Sequence, residues 1–259
     1  MTSFTQTLAW GISDVAVLTK RNLLRYKRIP QLLVFSTIQP IMFLLLFTFV
    51  FGGSIQGVGG HYINYLLPGI LMQSALFGSL QTGVGLADDM TKGIVDRLRT
   101  LPMTQLALLA GRTVSDAIRN VFVVTVMLLV GVLIGFDPVG GFAGIVLAAL
   151  VTVGFGFAFS WISATIGLAV RNPETAQVAG FVWVFPLIYI SSAYVPVASL
   201  PKALKFIATY SPITATIDAV RALTNGTATL GGVFSAVAWM GVIIAIFVPL
   251  AVRLYRKTA

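Results

Sequence analysis

The sequence predicts an all-α integral membrane protein with six transmembrane helices. Three observations predict this class. Only 10% of the 259 residues are charged, less than half of the roughly 25% found in soluble domains. Apolar residues make up 57% of the chain, and the mean hydropathy is +0.94. Charged residues are absent from five long stretches: 29–87, 120–136, 138–170, 175–201 and 222–252. Because such stretches cannot form a surface in contact with water, a soluble fold is excluded.

The charge-free stretches set the number of spans. A transmembrane helix needs about 20 mostly apolar residues, and the glycine-rich segment 52–61 divides the longest stretch into two. A cytoplasmic segment, 1–30, is expected to precede a single membrane domain, 31–259. Within that domain the spans are predicted at about 31–51, 66–87, 111–136, 141–170, 175–197 and 234–254. Arg112, Asp116 and Arg119 lie near the start of the third span, so its first turns are expected at or below the lipid headgroups.

The distribution of Lys and Arg predicts the orientation. Fourteen of these residues fall in segments on one side of the predicted spans and three on the other. Since cytoplasmic segments are enriched in Lys and Arg, both termini are expected in the cytoplasm. Topology and contact with anionic lipid then explain the net charge of +9, and no nucleic-acid partner is needed.

Several kinds of chemistry are excluded by the residues present. The chain has no cysteine and one histidine, His61, in a predicted loop, so no metal cluster is expected. It contains neither a nucleotide-binding phosphate loop nor a nucleophile elbow, and no enzymatic activity is expected. The eight acidic residues fall at predicted helix ends or outside the spans. A proton-driven carrier uses acidic residues inside the membrane, so this class of transporter is disfavoured.

The segment 12–28 has the pattern of an amphipathic helix, and Pro30 follows it. Its two faces differ in polarity: Ile12, Val15, Ala16, Thr19, Leu23 and Tyr26 on one side, and Arg21, Arg25 and Arg28 on the other. A basic helix of this kind lies in the membrane interface. A simple positively charged anchor is the alternative.

A second polar segment, 88–104, follows the second predicted span. Oppositely charged pairs recur at helical spacing, as in Asp88 and Lys92. An apolar stripe runs through the same segment, and Pro102 ends it; the stripe consists of Met90, Ile94, Leu98 and Leu101. Such a helix fits a groove in a partner protein. A helix that is solvated or lies on the membrane is the alternative.

The outer segment 192–225 is too long for a simple turn. Pro201 and Pro212 are suited to the first turns of two short helices, and Ser211 to the N-cap of the second. Asp218 and Arg221 are spaced to pair within that second helix. These short helices are expected to dip into or lie along the outer leaflet, where they could shape an exit.

The sequence resembles a known family, the permease subunits of ABC-2 type exporters. Within that family it is most similar to the daunorubicin- and doxorubicin-resistance branch of actinobacteria. The resemblance covers nearly the whole chain. It rests on the basic amphipathic N-terminus, the six spans and four motifs: RLRTLP at 97–102, RNPE at 171–174, FPLIYISSAYVP at 185–196 and YSPIT at 210–214.

The resemblance implies one half of a membrane dimer in the bacterial plasma membrane, formed with a second copy or a sister permease. Two separate ABC ATPase subunits would bind ATP and Mg²⁺, and this chain would bind no cofactor. The cargo would be an amphipathic drug, a lipid or a lipid-linked glycan exported by alternating access, a function that includes antibiotic resistance. The segment 88–101 would be the coupling helix, with its contacts at Asp88, Met90, Ile94, Arg97, Leu98, Arg99 and Leu101.

Polar and aromatic residues within spans one, two and five are the candidates for the substrate path: Gln39, Phe43, Gln73, Phe77, Gln81, Phe181 and Tyr189. Packing between helices is the alternative role for each of them. The candidates for an extracellular gate are Pro196, Pro201, Pro212, Asp218 and Arg221.

Two other functions remain open from the sequence. A secondary carrier or channel without ATP coupling would require a charge near the midplane or an internal repeat. An integral-membrane enzyme that modifies lipids would require a cluster of His, Asp or Glu near one interface, and Asp88 with Asp89 is the nearest approach to one.

Overall fold

A computed structural model of the chain describes residues 4–51, 62–100 and 103–257, and within these ranges every regular element is helical. A π-helical turn, Phe47–Phe51, extends α2, and a 3₁₀ turn, Val197–Ser199, precedes α8. The α-helices are α1 Phe4–Arg28, α2 Gln31–Leu46, α3 Tyr62–Thr91, α4 Ile94–Arg99, α5 Gln105–Ile134, α6 Gly141–Val170, α7 Pro173–Tyr189, α8 Lys202–Thr209, α9 Pro212–Thr224 and α10 Leu230–Lys257.

Five helical segments of the described ranges are long and apolar enough to cross a membrane: Leu33–Val50, Tyr62–Thr91, Leu106–Ile134, Gly141–Val170 and Leu230–Lys257. The fifth predicted span, 175–197, was wrong at its C-terminal end, because α7 stops at Tyr189. Beyond it, the Ser192 hydroxyl donates to Asp218 and the Tyr194 hydroxyl donates to Gln73. These tertiary contacts hold residues 190–196 in a turn.

The third predicted span also differs from the structure. Helix α5 begins at Gln105, before the predicted start at 111, and Arg112, Asp116 and Arg119 lie inside it and are buried. These charges therefore lie several turns into α5 rather than at its start, and their depth relative to the headgroups stays a prediction. They are buried because α1 and α3 pack over the first half of α5 and supply polar partners.

The predicted helix 88–101 is divided in the structure. Asp88 and Met90 belong to the last turns of α3, and the chain then turns at Gly93, whose φ of 67° is a left-handed conformation that glycine adopts readily. A new short helix, α4, follows. His61, the segment 52–61, Leu101 and Pro102 lie outside the described residues.

Helix α3 lies at the centre of the bundle and packs against α5, α6, α7 and α9. Its side chains Leu66, Leu67 and Ile70 are fully buried. Helices α3 and α6 approach closely where Gly83 and Gly167 face each other, since a side chain at either position would meet the opposite backbone.

The bundle has a terminal end, near both chain termini, and a distal end opposite to it. At the terminal end, α1, α4 and the last turns of α10 share one apolar cluster that includes Leu18, Val95 and Tyr255. At the distal end, α9 packs on α6, and the Gly140 amide donates to the carbonyl of Thr224 at 2.8 Å.

Candidate functional site: a central cavity and its connections to both ends

A cavity of about 100 Å³ lies between α2, α3, α5 and α7. This central cavity has a mixed lining of amides, hydroxyls and aromatic rings around one buried cation, Arg119. Its volume accommodates several water molecules or a small polar group, but not a complete drug-sized molecule, which needs about 300 Å³ or more. The central cavity therefore has room only for a small group.

Six of the seven predicted path residues line this central cavity: Gln39, Phe43, Gln73, Phe77, Gln81 and Phe181. They come from three different helices, so the fold assembles them. Gln73 has a second contact, because its Oε1 accepts a 2.6 Å hydrogen bond from the Tyr194 hydroxyl. Tyr189 is not part of the lining; it stacks on Tyr194 at 5.3 Å between ring centroids.

A row of aromatic rings leads from the central cavity towards the distal end. Phe181, Phe185 and Tyr189 follow one another on successive turns of α7, with ring centroids 5.6 and 5.9 Å apart. Phe77 packs against the first two rings, and Tyr194 against the last. Phe185 and Tyr189 are also exposed, so this end of the row presents an aromatic surface at the outside of the bundle.

A second cavity, of about 540 Å³, opens at the terminal end. This terminal cavity shares four lining residues with the central cavity: Ser36, Gln39, Gln81 and Arg119. Helix α1 forms one wall with Asn22, Arg25 and Tyr26. The two cavities are therefore adjacent, and a movement of α1 would change the wall of the terminal cavity.

A group of charged side chains lies beside the terminal cavity, and Asp89, Arg112 and Asp116 are its buried members. Arg112 lies 3.7 Å from Asp89 and 3.8 Å from Asp116, and Arg21 of α1 lies 3.6 Å from Asp89. Asp116 also accepts hydrogen bonds from Tyr26 and Thr82. Two carboxylates and two guanidinium groups thus form one ionic cluster that joins α1, α3 and α5. It also corrects the expectation from the sequence, because Asp116 is a buried acid in the middle of a helix.

Hydrogen bonds connect α1, along much of the length of α1, to α5 and to Thr104, the residue that precedes α5. Asp14 accepts from the amide of Thr104, the Thr19 hydroxyl and the Asn22 amide donate to the carbonyl of Gly111, and the Tyr26 hydroxyl donates to Asp116 at 2.8 Å. Burial, followed by the charge of Asp116, raises the pKa of Tyr26 to about 12. The phenol therefore remains a hydrogen-bond donor at neutral pH.

The outward face of α1 is apolar, with Trp10, Ile12 and Val17 exposed. Of the predicted apolar face, Ile12 and Ala16 are exposed and Thr19 is buried. Leu18 and Asn22, which were not assigned to that face, are buried against α5. An exposed apolar face beside Lys20 and Lys27 suits the membrane interface.

The predicted coupling residues lie at the terminal end. Met90 and Leu98 pack on the apolar cluster there, and Ile94 is half-buried. Asp96 and Arg97 are exposed, and Arg99 closes α4. Asp88 pairs with Lys92 at 2.7 Å at the rim of the terminal cavity. The apolar stripe thus contributes to the chain's own core, and the exposed side of α4 is polar.

The predicted gate residues lie together at the distal end. Arg221 pairs with Asp218 at 2.8 Å, donates to the carbonyls of Tyr65 and Ser192, and lies over the Tyr65 ring at 3.8 Å. The three prolines precede or open helical turns: Pro196 precedes the 3₁₀ turn, Pro201 precedes α8, and Pro212 is the first residue of α9 with Ser211 as its N-cap.

The amino-acid sequence matches the family model of the ABC-2 type transporter over residues 13–224. The chain belongs to the ABC-2 type transporter family. A daunorubicin resistance ABC transporter permease protein of Streptomyces coeruleorubidus is 35% identical over 237 residues, which are 92% of this chain and 84% of that protein. A probable doxorubicin resistance ABC transporter permease protein of Mycobacterium tuberculosis is 26% identical over 251 residues, 96% of this chain and 90% of that protein.

A third relative, a putative transport permease of Cyanophora paradoxa, is 28% identical over 222 residues, 82% of this chain and 74% of that protein. The resemblance to the drug-resistance permeases drawn from the sequence motifs is therefore confirmed. As an ABC-2 type chain with apolar membrane-crossing helices, the protein is a membrane subunit of an ABC transporter.

Several lining residues of the two cavities were not predicted from the sequence, and Arg119, Asn120 and Tyr26 are among them. Arg119 and Asn120 line the central cavity, and Tyr26 lines the terminal one. A signal was available for the first two, because a charge and an amide stand directly before the apolar run that completes α5. The role of Tyr26 had no comparable signal, since its partner Asp116 is 90 residues away along the chain.

Proposed function

We propose that this ABC-2 type chain is the permease half of an ATP-driven exporter that moves an amphipathic drug, lipid or lipid-linked glycan out of the cytoplasm or inner leaflet. Two separate ABC ATPase subunits bind ATP and Mg²⁺ and supply the energy. A second permease, identical or a sister, completes the membrane domain in the bacterial plasma membrane. The terminal end faces the cytoplasm, as the excess of Lys and Arg there favours.

The proposed topology has six spans, with α7 as the fifth. Helix α7 has 17 residues, about 26 Å at 1.5 Å per residue, and the turn at 190–196 extends its reach towards the distal end. Helices α8 and α9 form the outer re-entrant pair. Phe206, Ile207 and Tyr210 are exposed on or just after α8, and Ile213, Ile217 and Val220 of α9 are fully buried, which supports an α8 in the outer leaflet and an α9 in the bundle.

The observation that carries the proposal is the ionic cluster of Arg21, Asp89, Arg112 and Asp116. It lies between α1 at the terminal end and the two adjacent cavities. A push on α1 by the closing ATPase pair would reach the cavity walls through these ion pairs. The exposed Arg97 on α4 is the proposed point of contact with the ATPase.

A pull-down experiment tests the partnership. The chain is co-expressed with the ABC ATPase encoded beside it, and the amount of ATPase that co-purifies is measured. Reversal of the exposed charge in Arg97→Glu is expected to lower this amount at least fivefold, while Lys205→Glu at the distal end leaves it unchanged. An Arg97→Glu variant that retains its ATPase would contradict the proposed docking site.

A proton-coupled carrier is the second candidate, and the buried Asp116 favours it. However, both buried carboxylates of the cluster are in ion pairs with arginine, as expected of a structural network. Transport of a fluorescent amphiphile into inverted vesicles separates the two functions. ATP-dependent uptake that survives collapse of the proton gradient supports the exporter, and uptake without the ATPase subunits overturns it.

A further inference from the structure

One buried cation of the central cavity stays outside the ionic cluster. Arg119 is 5% exposed, and no carboxylate of the described residues lies within ion-pair distance of it. The two oxygens of nearby Asp116 are already engaged by Tyr26, Thr82 and Arg112. The cluster is therefore balanced without Arg119, whose charge has no counter-ion in the described part of the chain.

The contacts of Arg119 leave donors available. Its Nη2 donates to the carbonyl of Gly78 at 2.6 Å, and its guanidinium carbon lies 5.9 Å from the centre of the Tyr26 ring. Its Nε is buried and has no hydrogen-bond partner. An unpaired charge in the interior is costly, and ionisable groups within membrane helices usually serve binding or transport. A vacant guanidinium donor is best satisfied by a carboxylate or phosphate group.

Arg119 lies where the two cavities adjoin. It lines both cavities, and it is the fifteenth of the 30 residues of α5, near the middle of that helix. The amide of Asn120 lies beside it, and the absence of a side chain at Gly78 makes room for both groups. Among the described residues of the lining there is no carboxylate, and the remaining polar ones carry neutral amides and hydroxyls: Ser36, Gln39, Gln73, Ser74, Gln81 and Gln177.

We infer that the central cavity binds the anionic head group, a phosphate or a carboxylate, of an amphiphile. The head group pairs with Arg119 and accepts hydrogen bonds from the surrounding amides. Because the cavity holds only about 100 Å³, the apolar part lies outside it, along the exposed rings of Phe185 and Tyr189. This inference rests on the proposed export function and specifies its substrate class, since a cationic amphiphile would meet an uncompensated positive charge.

Calorimetric titration of the full-length chain in an uncharged detergent tests this inference without the ATPase subunits or nucleotide. The probes are dodecyl phosphate, dodecanoate, dodecyltrimethylammonium and inorganic phosphate. The two anionic amphiphiles are expected to bind at least tenfold more tightly than the ammonium compound. Arg119→Gln abolishes this preference and Arg119→Lys retains part of it. Arg253→Gln, which removes an exposed arginine of α10, leaves the preference unchanged.

Three results would overturn the inference: equal binding of the ammonium and anionic amphiphiles, an unchanged preference in Arg119→Gln, or inorganic phosphate binding as tightly as dodecyl phosphate. If Arg119→Gln fails to fold, the affinities of the wild-type chain and of Arg119→Lys for the four probes still test the inference. Since no ATPase takes part, absence of anion binding would leave ATP-driven export standing. Conversely, loss of ATPase association would leave the anion site standing.

Discussion

The Tyr26 hydroxyl donates a 2.8 Å hydrogen bond to Oδ1 of Asp116, which joins α1 to the middle of α5. Asp116 is 1% exposed and is also paired with Arg112. A helix that lies outside the bundle thus reaches one of its most buried charges. In an exporter driven by a separate ATPase, this bond would carry a displacement of α1 to the wall of the terminal cavity.

Replacement of Tyr26 by Phe is expected to lower the free energy of unfolding by about 1–3 kcal/mol, the range for a hydrogen bond to a charged or otherwise unsatisfied buried group. Export is expected to fall with no loss of ATPase co-purification. Thermal unfolding of the purified chain and vesicle uptake measure the two effects. Tyr210→Phe is the control because Tyr210 is exposed; equal effects of the two substitutions would contradict a role for the Tyr26 bond.

The same bond predicts a dependence on alkaline pH. The pKa of Tyr26 is raised from 10.0 to about 12 in the folded chain, mainly by burial. A group whose pKa rises on folding contributes its full stabilisation below the unfolded pKa and loses it as the pH rises through the folded value. The stability difference between wild type and Tyr26→Phe is therefore expected to be constant up to about pH 10 and to shrink towards pH 12. A difference that grows with pH would contradict this assignment.

Gly111 determines how closely α1 approaches α5. A side chain there would meet the Cβ of Leu18 and the backbone of α1. Gly111→Val is expected to displace α1 and to reduce export at least tenfold. Because the chain has no cysteine, a single Leu18→Cys reports the displacement through faster maleimide labelling. Gly241→Val is the control, since a side chain there meets open space; equal labelling rates in both variants would contradict the prediction.

Charge-free runs predicted most of the helices because a lipid environment requires long apolar segments whatever their partners. The same runs failed at the end of α7, where the residues remain uncharged but form hydrogen bonds to α3 and α9. They failed again at α5. An arginine that pairs with a carboxylate on another helix is buried in the structure, but from the sequence alone it is interpreted as a surface charge. In both cases the structure depends on partners that lie far away along the chain, and a single sequence does not reveal such partners.

The sequence could predict that Gln39, Gln73 and Gln81 face polar neighbours inside the bundle, since amides within spans form hydrogen bonds to other helices rather than contact lipid. The division of the 88–101 segment was not foreseen. Its stripe has helical spacing, but the glycine at 93 adopts a positive φ and allows Leu98 to turn into the apolar cluster of the terminal end. Periodicity alone cannot distinguish a stripe that docks a partner from one that packs on its own domain.

At the distal end, Arg221 is expected to matter more than Asp218. The Arg221 side chain is 15% exposed and donates to two backbone carbonyls, whereas the Asp218 side chain is 53% exposed. Arg221→Met is therefore expected to cost about 2–3 kcal/mol of stability. Asp218→Asn is expected to cost about 1 kcal/mol or less, as for exposed ion pairs. Thermal unfolding measures both, and equal losses would contradict the dominance of the carbonyl contacts.

The Tyr194–Gln73 bond connects the distal turn to the central cavity. Tyr194→Phe leaves the Oε1 of buried Gln73 without its donor, an unsatisfied group that costs about 1–3 kcal/mol. The double variant with Gln73→Leu removes both partners and is expected to lose less than the sum of the two single variants, with a coupling of about 1 kcal/mol. Additive losses in thermal unfolding would contradict the bond.

The bond also predicts an effect on binding. In Tyr194→Phe, the freed amide of Gln73 can turn towards a ligand in the central cavity, so the affinity for dodecyl phosphate is expected to change at least threefold. Tyr62→Phe is the matched control. The Tyr62 hydroxyl also contacts this turn, through the carbonyl of Tyr194, but Tyr62 does not line the cavity. Tyr62→Phe is therefore expected to lower stability and leave the affinity unchanged. If both variants bind dodecyl phosphate as the wild type does, the Tyr194–Gln73 bond serves packing alone and the distal turn has no influence on the head-group site.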